Sequence, residues 1–179
     1  FSQEEEQKLE EEKNLKIINE EYLEASENQN SDLQHKINVS HRQQVIINQR
    51  GNSNEAYVVQ QRYGGSASNY SEINQKGNNH NADVEIKGND NAVRVLQDNL
   101  ESGLGSGNTY SANIHGNANL VDVEQRGSNN TINQSLTGDG YNYQVKQKGS
   151  NHKLELDNLS STANPIVIEQ TGEGMNLQI

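Results

Sequence analysis

Six glutamines, Gln49, Gln75, Gln97, Gln125, Gln147 and Gln170, recur at spacings of 26, 22, 28, 22 and 23 residues, and all but Gln97 stand two positions before a glycine. A carboxamide repeated in this way offers hydrogen-bonding chemistry, with N–H donors and a C=O acceptor on one rigid head. Stacked ~4.8 Å apart, each inward amide can donate to the copy on one side and accept from the copy on the other. A lone buried glutamine left unsatisfied costs ~1–3 kcal/mol, whereas a column of six has unmet groups only at its ends. The same argument extends the expected ladder to Asn54, Gln60, Asn91, Asn108, Asn119, Asn130 and Asn164, which hold inward positions of the same repeat.

Other residues could do other chemistry, but their spacing does not favour it. His80 and His152 occupy the asparagine position of the repeat, which assigns them to the ladder rather than to a metal, and His35, His41 and His115 follow no ligand spacing. Gly88-Asn89-Asp90-Asn91 and Gly138-Asp139-Gly140 resemble fragments of calcium turns but lack the nine-residue period of calcium β-rolls. The carboxylates Glu85, Asp122, Glu124 and Glu155 read as a charged solvent face. No catalytic constellation emerges, so the expectation is a protein that is not an enzyme and needs no cofactor or metal. There is no cysteine, hence neither a disulfide framework nor a thiolate site.

The elements that must position the amides follow from a half-period of 11, Q-x-G-x-x-N-x-h-x-h-x, with h apolar. Ile86, Gly88, Asn91, Val93, Val95 and Gln97 make one copy, and Ile114, Gly116, Asn119, Val121, Val123 and Gln125 another. The asparagine, both apolar positions and the closing Gln or Ile share parity, so in an extended strand they point to one face. The opposite parity is mostly charged or amide. This alternation predicts strands over 43–49, 54–60, 69–75, 80–86, 91–97, 108–114, 119–125, 130–136, 141–147, 152–158, 164–170 and 175–179. Gly51, Gly77, Gly88, Gly116, Gly127, Gly138, Gly149 and Gly172 lie in the links and supply the positive φ of a tight reversal. Extra residues fall between Gln61 and Ser68 and between Asp98 and Gly107, in turns, where strand register survives them.

The expected fold is therefore all-β, a β-solenoid over residues 36–179 made of about six strand–turn–strand rungs of about 22 residues, of either hand. Residues 1–35 differ. They carry eleven acids against Lys8, Lys13 and Lys16, a net of −8 out of −11 for the chain, and Leu15, Ile18, Tyr22 and Ala25 fall at helical spacing. A short acidic helix or a partly disordered leader is expected there. Only 30% of residues are hydrophobic, with one Phe and no Trp, which excludes an ordinary mixed core. An acidic chain has no electrostatic reason to hold nucleic acid, and no apolar stretch is long enough to insert in a membrane. The chain opens at Phe1, which suggests a signal peptide already removed and a secreted protein.

Gln49-x-Gly51-x-x-Asn54-x-Ala56-x-x-x-Gln60 resembles in full the latter part of the curlin repeat, the signature of curli subunits, the functional amyloid of bacterial biofilms. Gln75, Gly77 and Ala82, with His80 in place of Asn, look like a degenerate copy, as do Gln125, Gly127 and Asn130, with Ile132 in place of Ala. The resemblance covers roughly residues 38–179. The serine that usually begins the repeat is mostly replaced, by Asn69, Asn91, Asn119 and Asn164, and residues 1–35 do not resemble the Gly-rich segment that guides secretion in known relatives. The resemblance implies a structural subunit of a secreted, cell-surface fibre that assembles with copies of itself and supports biofilm matrix and adhesion. It implies as partners a nucleator, a dedicated secretion pore and chaperones. The alternatives are the minor nucleator of such a fibre or a monomeric β-solenoid adhesin. Arg50, Lys76, Arg126 and Lys148 each follow a ladder glutamine and would form a column on one edge, interrupted by Asp98 and Thr171, where they could act as gatekeepers slowing association.

Overall fold

The computed structural model describes residues 33–39 (backbone), 43–63, 68–99, 106–157 and 166–179. The helix or leader expected over 1–35 lies outside them, except that Leu33–His35 open the first strand, three residues before the expected start of the repeat.

Thirteen strands follow one another among the described residues, with no helix: β1 (Leu33–Val39), β2 (Gln44–Arg50), β3 (Asn54–Gln61), β4 (Tyr70–Lys76), β5 (Asn81–Lys87), β6 (Ala92–Asp98), β7 (Thr109–His115), β8 (Leu120–Ser128), β9 (Thr131–Thr137), β10 (Asn142–Ser150), β11 (Lys153–Asp157), β12 (Ile166–Glu173) and β13 (Asn176–Gln178). Odd-numbered strands form one parallel sheet of seven and even-numbered strands a second of six, each in chain order. Successive strands thus alternate between sheets, and the chain is a β-solenoid of about five turns. All twelve expected strands are present, mostly displaced by one residue. The commonest cause is that the residue at the clip position, Asn69, His80, Asn91, Asn108, Asn119, Asn130 or His152, belongs to the preceding turn, where its side chain is engaged, whereas β3 opens on Asn54 as expected.

Period-2 alternation puts one face of each sheet inside. Val45, Val93, Val121 and Tyr143 share one inward column, Ile47, Ile73, Val95, Val123 and Val145 the next, and the glutamines the third. The facing sheet offers Val58 and Val84, then Ile86, Ile114 and Leu136, all buried. Tyr110, fully buried in the column of Ala56 and Ala82, reaches toward the later rung, where its hydroxyl meets Gln134.

The turns explain the glycine period. Gly51 has φ 119°, and a Cβ built on it would lie 1.8 Å from the carbonyl oxygen of Gly77 in the next rung. Gly149 stands in the same relation to Gly172, at 1.8 Å. Glycine is thus required twice over, by backbone conformation and by the rung stacked against it. Two residues after each glycine the chain is left-handed again, at Ser53, Asn79, Asp90, Ala118, Asn129, Asn151, Gly140 and Gly174. Asn, Asp and Gly tolerate this conformation; at Ala118 it costs about 1 kcal/mol.

Gly172 ends the column, and a Cβ there would meet only Met175 Cε, at 4.0 Å. Gly149→Ala is therefore expected to destabilise the single chain by more than about 2 kcal/mol, while Gly172→Ala costs only its φ strain, about 1 kcal/mol. Urea unfolding of the two variants measures the difference; equal losses would show that rung contact does not set the glycine requirement.

Candidate functional site

The six glutamines form one unbroken buried ladder. Gln49 Nε2 donates to Gln75 Oε1 at 2.7 Å, Gln75 to Gln97 at 2.9 Å, Gln97 to Gln125 at 2.9 Å, Gln125 to Gln147 at 3.0 Å and Gln147 to Gln170 at 2.7 Å. The second amide hydrogen goes to a backbone carbonyl of the facing sheet, as from Gln75 to Glu55 (2.8 Å) and from Gln97 to Asn81 (2.9 Å). Every Nε2 points toward the later rung and every Oε1 toward the earlier one.

Gln60 is not part of this ladder, contrary to expectation. It sits in the other sheet, in register with Val39 and Ile86, so no glutamine stands above or below it. Its Nε2 donates across the interior to Ser71 Oγ at 2.6 Å, and its buried Oε1 has no hydrogen-bond partner. Gln134, likewise outside any column of its own kind, accepts from Tyr110 Oη at 2.9 Å and leaves its Nε2 unpaired. These two show what an inward amide loses without a copy of itself on either side.

Apart from Asn91, whose Nδ2 donates to Asn69 Oδ1 at 3.0 Å, the asparagines work differently from the expected side-chain ladder. Asn54 Nδ2 donates to the Gly77 carbonyl at 2.9 Å while its Oδ1 accepts the backbone N–H of His80 at 3.1 Å, so one side chain clips the next rung at two points. Asn91 clips Gly116 and Asn119, Asn108 clips Gly127 and Asn130, Asn119 clips Gly138 and Tyr141, and Asn130 clips Gly149 and His152. Asn69 does the same to Gly88 and Asn91. Asn164 lies outside the described residues.

His80 and His152 take the clip position as expected, through Nδ1. His80 Nδ1 accepts the N–H of Asn108 at 3.0 Å, and its Nε2 lies 2.9 Å from the Lys76 carbonyl. His152 repeats this with Met175 N–H (3.3 Å) and the Lys148 carbonyl (3.0 Å). These contacts define a neutral ring with its proton on Nε2.

Two further sets of residues escaped the sequence reading. The residue after the turn glycine forms a second ladder at three steps: Asn52 N–H donates to Asn78 Oδ1, Asn89 N–H to Asn117 Oδ1 and Asn117 N–H to Asp139 Oδ1. The signal was legible, since Asn, Asp or Ser follows most of those glycines. Asn99 explains how the rung after Gln97 manages without glycine. Its Oδ1 accepts Asn78 N–H at 2.9 Å and its Nδ2 donates to the carbonyls of Asn78 and Ser106, at 2.9 and 3.0 Å, closing the neck of the long turn.

Arg50, Lys76, Arg126 and Lys148 stand in one outward column, with Asp98 between Lys76 and Arg126 and Thr171 after Lys148. All four are exposed, and Arg126 pairs with Glu124.

The stack ends at an open rung. Leu177 is in register with Leu154 yet 38% exposed where Leu154 is fully buried, and Ile179, hydrogen-bonded beside Leu156, is also 38% exposed. Donors, glycine arc and apolar columns all continue up to this last described rung.

Burial of the ring holds the His80 pKa below its ordinary 6.5, against the opposing pull of the Lys76 carbonyl, Asp98 and Asn99. The unfolded chain therefore takes up the proton first, so the stability contributed by neutral His80 is intact above about pH 6.5 and falls as pH drops through that value. Urea midpoints at pH 7.5 and 5.5 should fall further for the wild type than for His80→Asn, whose amide keeps the clip without a proton; parallel losses would remove His80 as the cause. Compared with known proteins, the chain matches no family model, no curated protein and no solved structure.

Proposed function

We propose that this chain is a structural subunit of a secreted, curli-like amyloid fibre, polymerising head to tail outside the cell and supporting biofilm matrix and adhesion. The observation that carries the reading is the one-way ladder running into an open rung. Gln49 brings the ladder's terminal Oε1 and Gln170 its terminal Nε2, so the two ends differ and complement each other. A contact between unlike ends does not close on itself and yields a filament. The resemblance of Gln49-x-Gly51-x-x-Asn54-x-Ala56-x-x-x-Gln60 to the curlin repeat supports the same reading.

In this mechanism β12 and β13 template an incoming chain, whose Gln49 comes to lie over Gln170 and whose Gly51 over Gly172. Amide bonds align the strands; burial of Leu177 and Ile179, roughly 1.5–3 kcal/mol for each fully covered side chain, contributes the non-directional part. A nucleator, a secretion pore and chaperones are the partners such a fibre implies. The basic column acts as a gatekeeper, since each added copy repeats the same charges along the same edge.

Purified protein should develop thioflavin fluorescence and a reflection near ~4.8 Å. Gln49→Ala and Gln170→Ala should slow seeded elongation several-fold, and Gly172→Ala should do so while leaving the monomer folded. Protein that stays monomeric at micromolar concentration would instead support a solenoid adhesin. Neutralising the basic column (R50Q/K76Q/R126Q/K148Q) should shorten the lag phase; unchanged kinetics would dismiss the gatekeeper role.

A further inference from the structure

Among the described residues the strand count is odd, and β1 is the surplus strand. The strands from β2 onward pair off as rungs, β2 with β3 through β12 with β13, each contributing one strand to each sheet. Continuing the glutamine ladder into a second copy places β2 of that copy against β12, and β3 of that copy against β13. The edge of β3 needed for this contact is occupied: β1 lies on it in parallel register, from Leu33 opposite Asn54 to Val39 opposite Gln60. If β1 stayed and paired with β13 itself, β12 and the incoming β2 would be two strand spacings apart, ~9.6 Å, and Gln170 could not reach Gln49 of the next copy.

The connection between β1 and β2 is also unlike the others. Val39 belongs to the column of Ile86, and Gln43 to that of Asn91, since its Oε1 accepts Asn69 N–H as an asparagine clip would. Four residues separate Ile86 from Asn91, but only Ser40, His41 and Arg42 separate Val39 from Gln43, and none is glycine. The link thus lacks both the length and the residue of the regular arc.

We propose that β1 is a removable cap, covering β3 in the single chain and giving way to β13 of a second copy, which pairs with β3 in its place. The chemistry of the exchange matches. Leu177 of β13 and Ile179 just after it, both exposed, would meet the columns of Ala56 and Val58, which are buried in the capped chain. Strand pairing lost with β1 is replaced by strand pairing with β13, so the exchange keeps the hydrogen bonds of β3 satisfied. The inference rests on the polymerisation proposed above and adds the step that limits it.

The test staples the cap. The chain has no cysteine, and Gln34 and Glu55 are register partners on adjacent strands, within the Cα separation that a disulfide spans. Full-length Gln34→Cys/Glu55→Cys is compared, oxidised and reduced, with Glu85→Cys/Asn113→Cys, which staples β5 to β7 inside the stack. Oxidation of the first pair is expected to slow seeded elongation at least tenfold, reversibly on reduction, while the second pair elongates equally in both states. Elongation of the oxidised first pair at the reduced rate would overturn the cap and leave the fibre reading intact. Failure of every protein to elongate, wild type included, would overturn both.

Discussion

The structure depends on a buried amide being satisfied by a translated copy of itself. An inward glutamine has two donors and an acceptor to place, and in this fold the partners come from the rungs before and after. That requirement fixes the rest. Strands must be parallel and in register so that Gln125 falls over Gln147, the link lengths must bring each strand back one spacing higher, and insertions must be expelled into turns. Gln60 and Gln134 each leave an atom unpaired because their columns contain no second glutamine. A chain that is only 30% hydrophobic holds together because the polar members of its core come in columns.

The amides also give the stack a direction. Glutamine Nε2 atoms point toward later rungs, and each asparagine grips the rung after its own. An ordinary globular core has no comparable polarity. Here one end finishes in donors and exposed Leu177 and Ile179, and the other carries β1 over β3. Buried polarity, usually a liability, becomes the source of unlike ends and hence of the proposed filament.

Much of this was legible in the sequence, because the signals were periodic. Strand parity, the glutamine ladder and the glycine turns all follow from a repeat of 11 and 22. What escaped lies where the repeat is broken or where side chain and backbone trade roles. Most strand starts were expected one residue early, and at Asn69, Asn91, Asn108, Asn119 and Asn130 the reason is that asparagine, inward by parity, serves as a turn clip to a glycine carbonyl. Gln60 was expected in the ladder because its motif position matches, but alternate half-repeats enter opposite sheets, and its column otherwise holds Val39 and aliphatics. Asn99 was invisible because a side chain there replaces the peptide contacts of a turn. β1 was not expected as a strand, since Leu33–His35 fell in the acidic leader and residues 36–39 before the first expected strand, and the edge of β3 recruited it all the same.

The glycine arc acts as a ruler for register. Gly51, Gly88, Gly116, Gly127 and Gly149 each lie so close to the carbonyl of the next rung that any side chain there collides with it. A chain that joined through its last rung with a slip of one or two residues would bring Thr171 or Gln170 under the Gly51 carbonyl of the next copy in place of Gly172, and would be rejected on shape before its hydrogen bonds formed. A slip by a whole rung passes the same check. Errors in such a stack therefore come in units of one repeat, which leaves strand parity, and with it the inside and outside of the solenoid, intact.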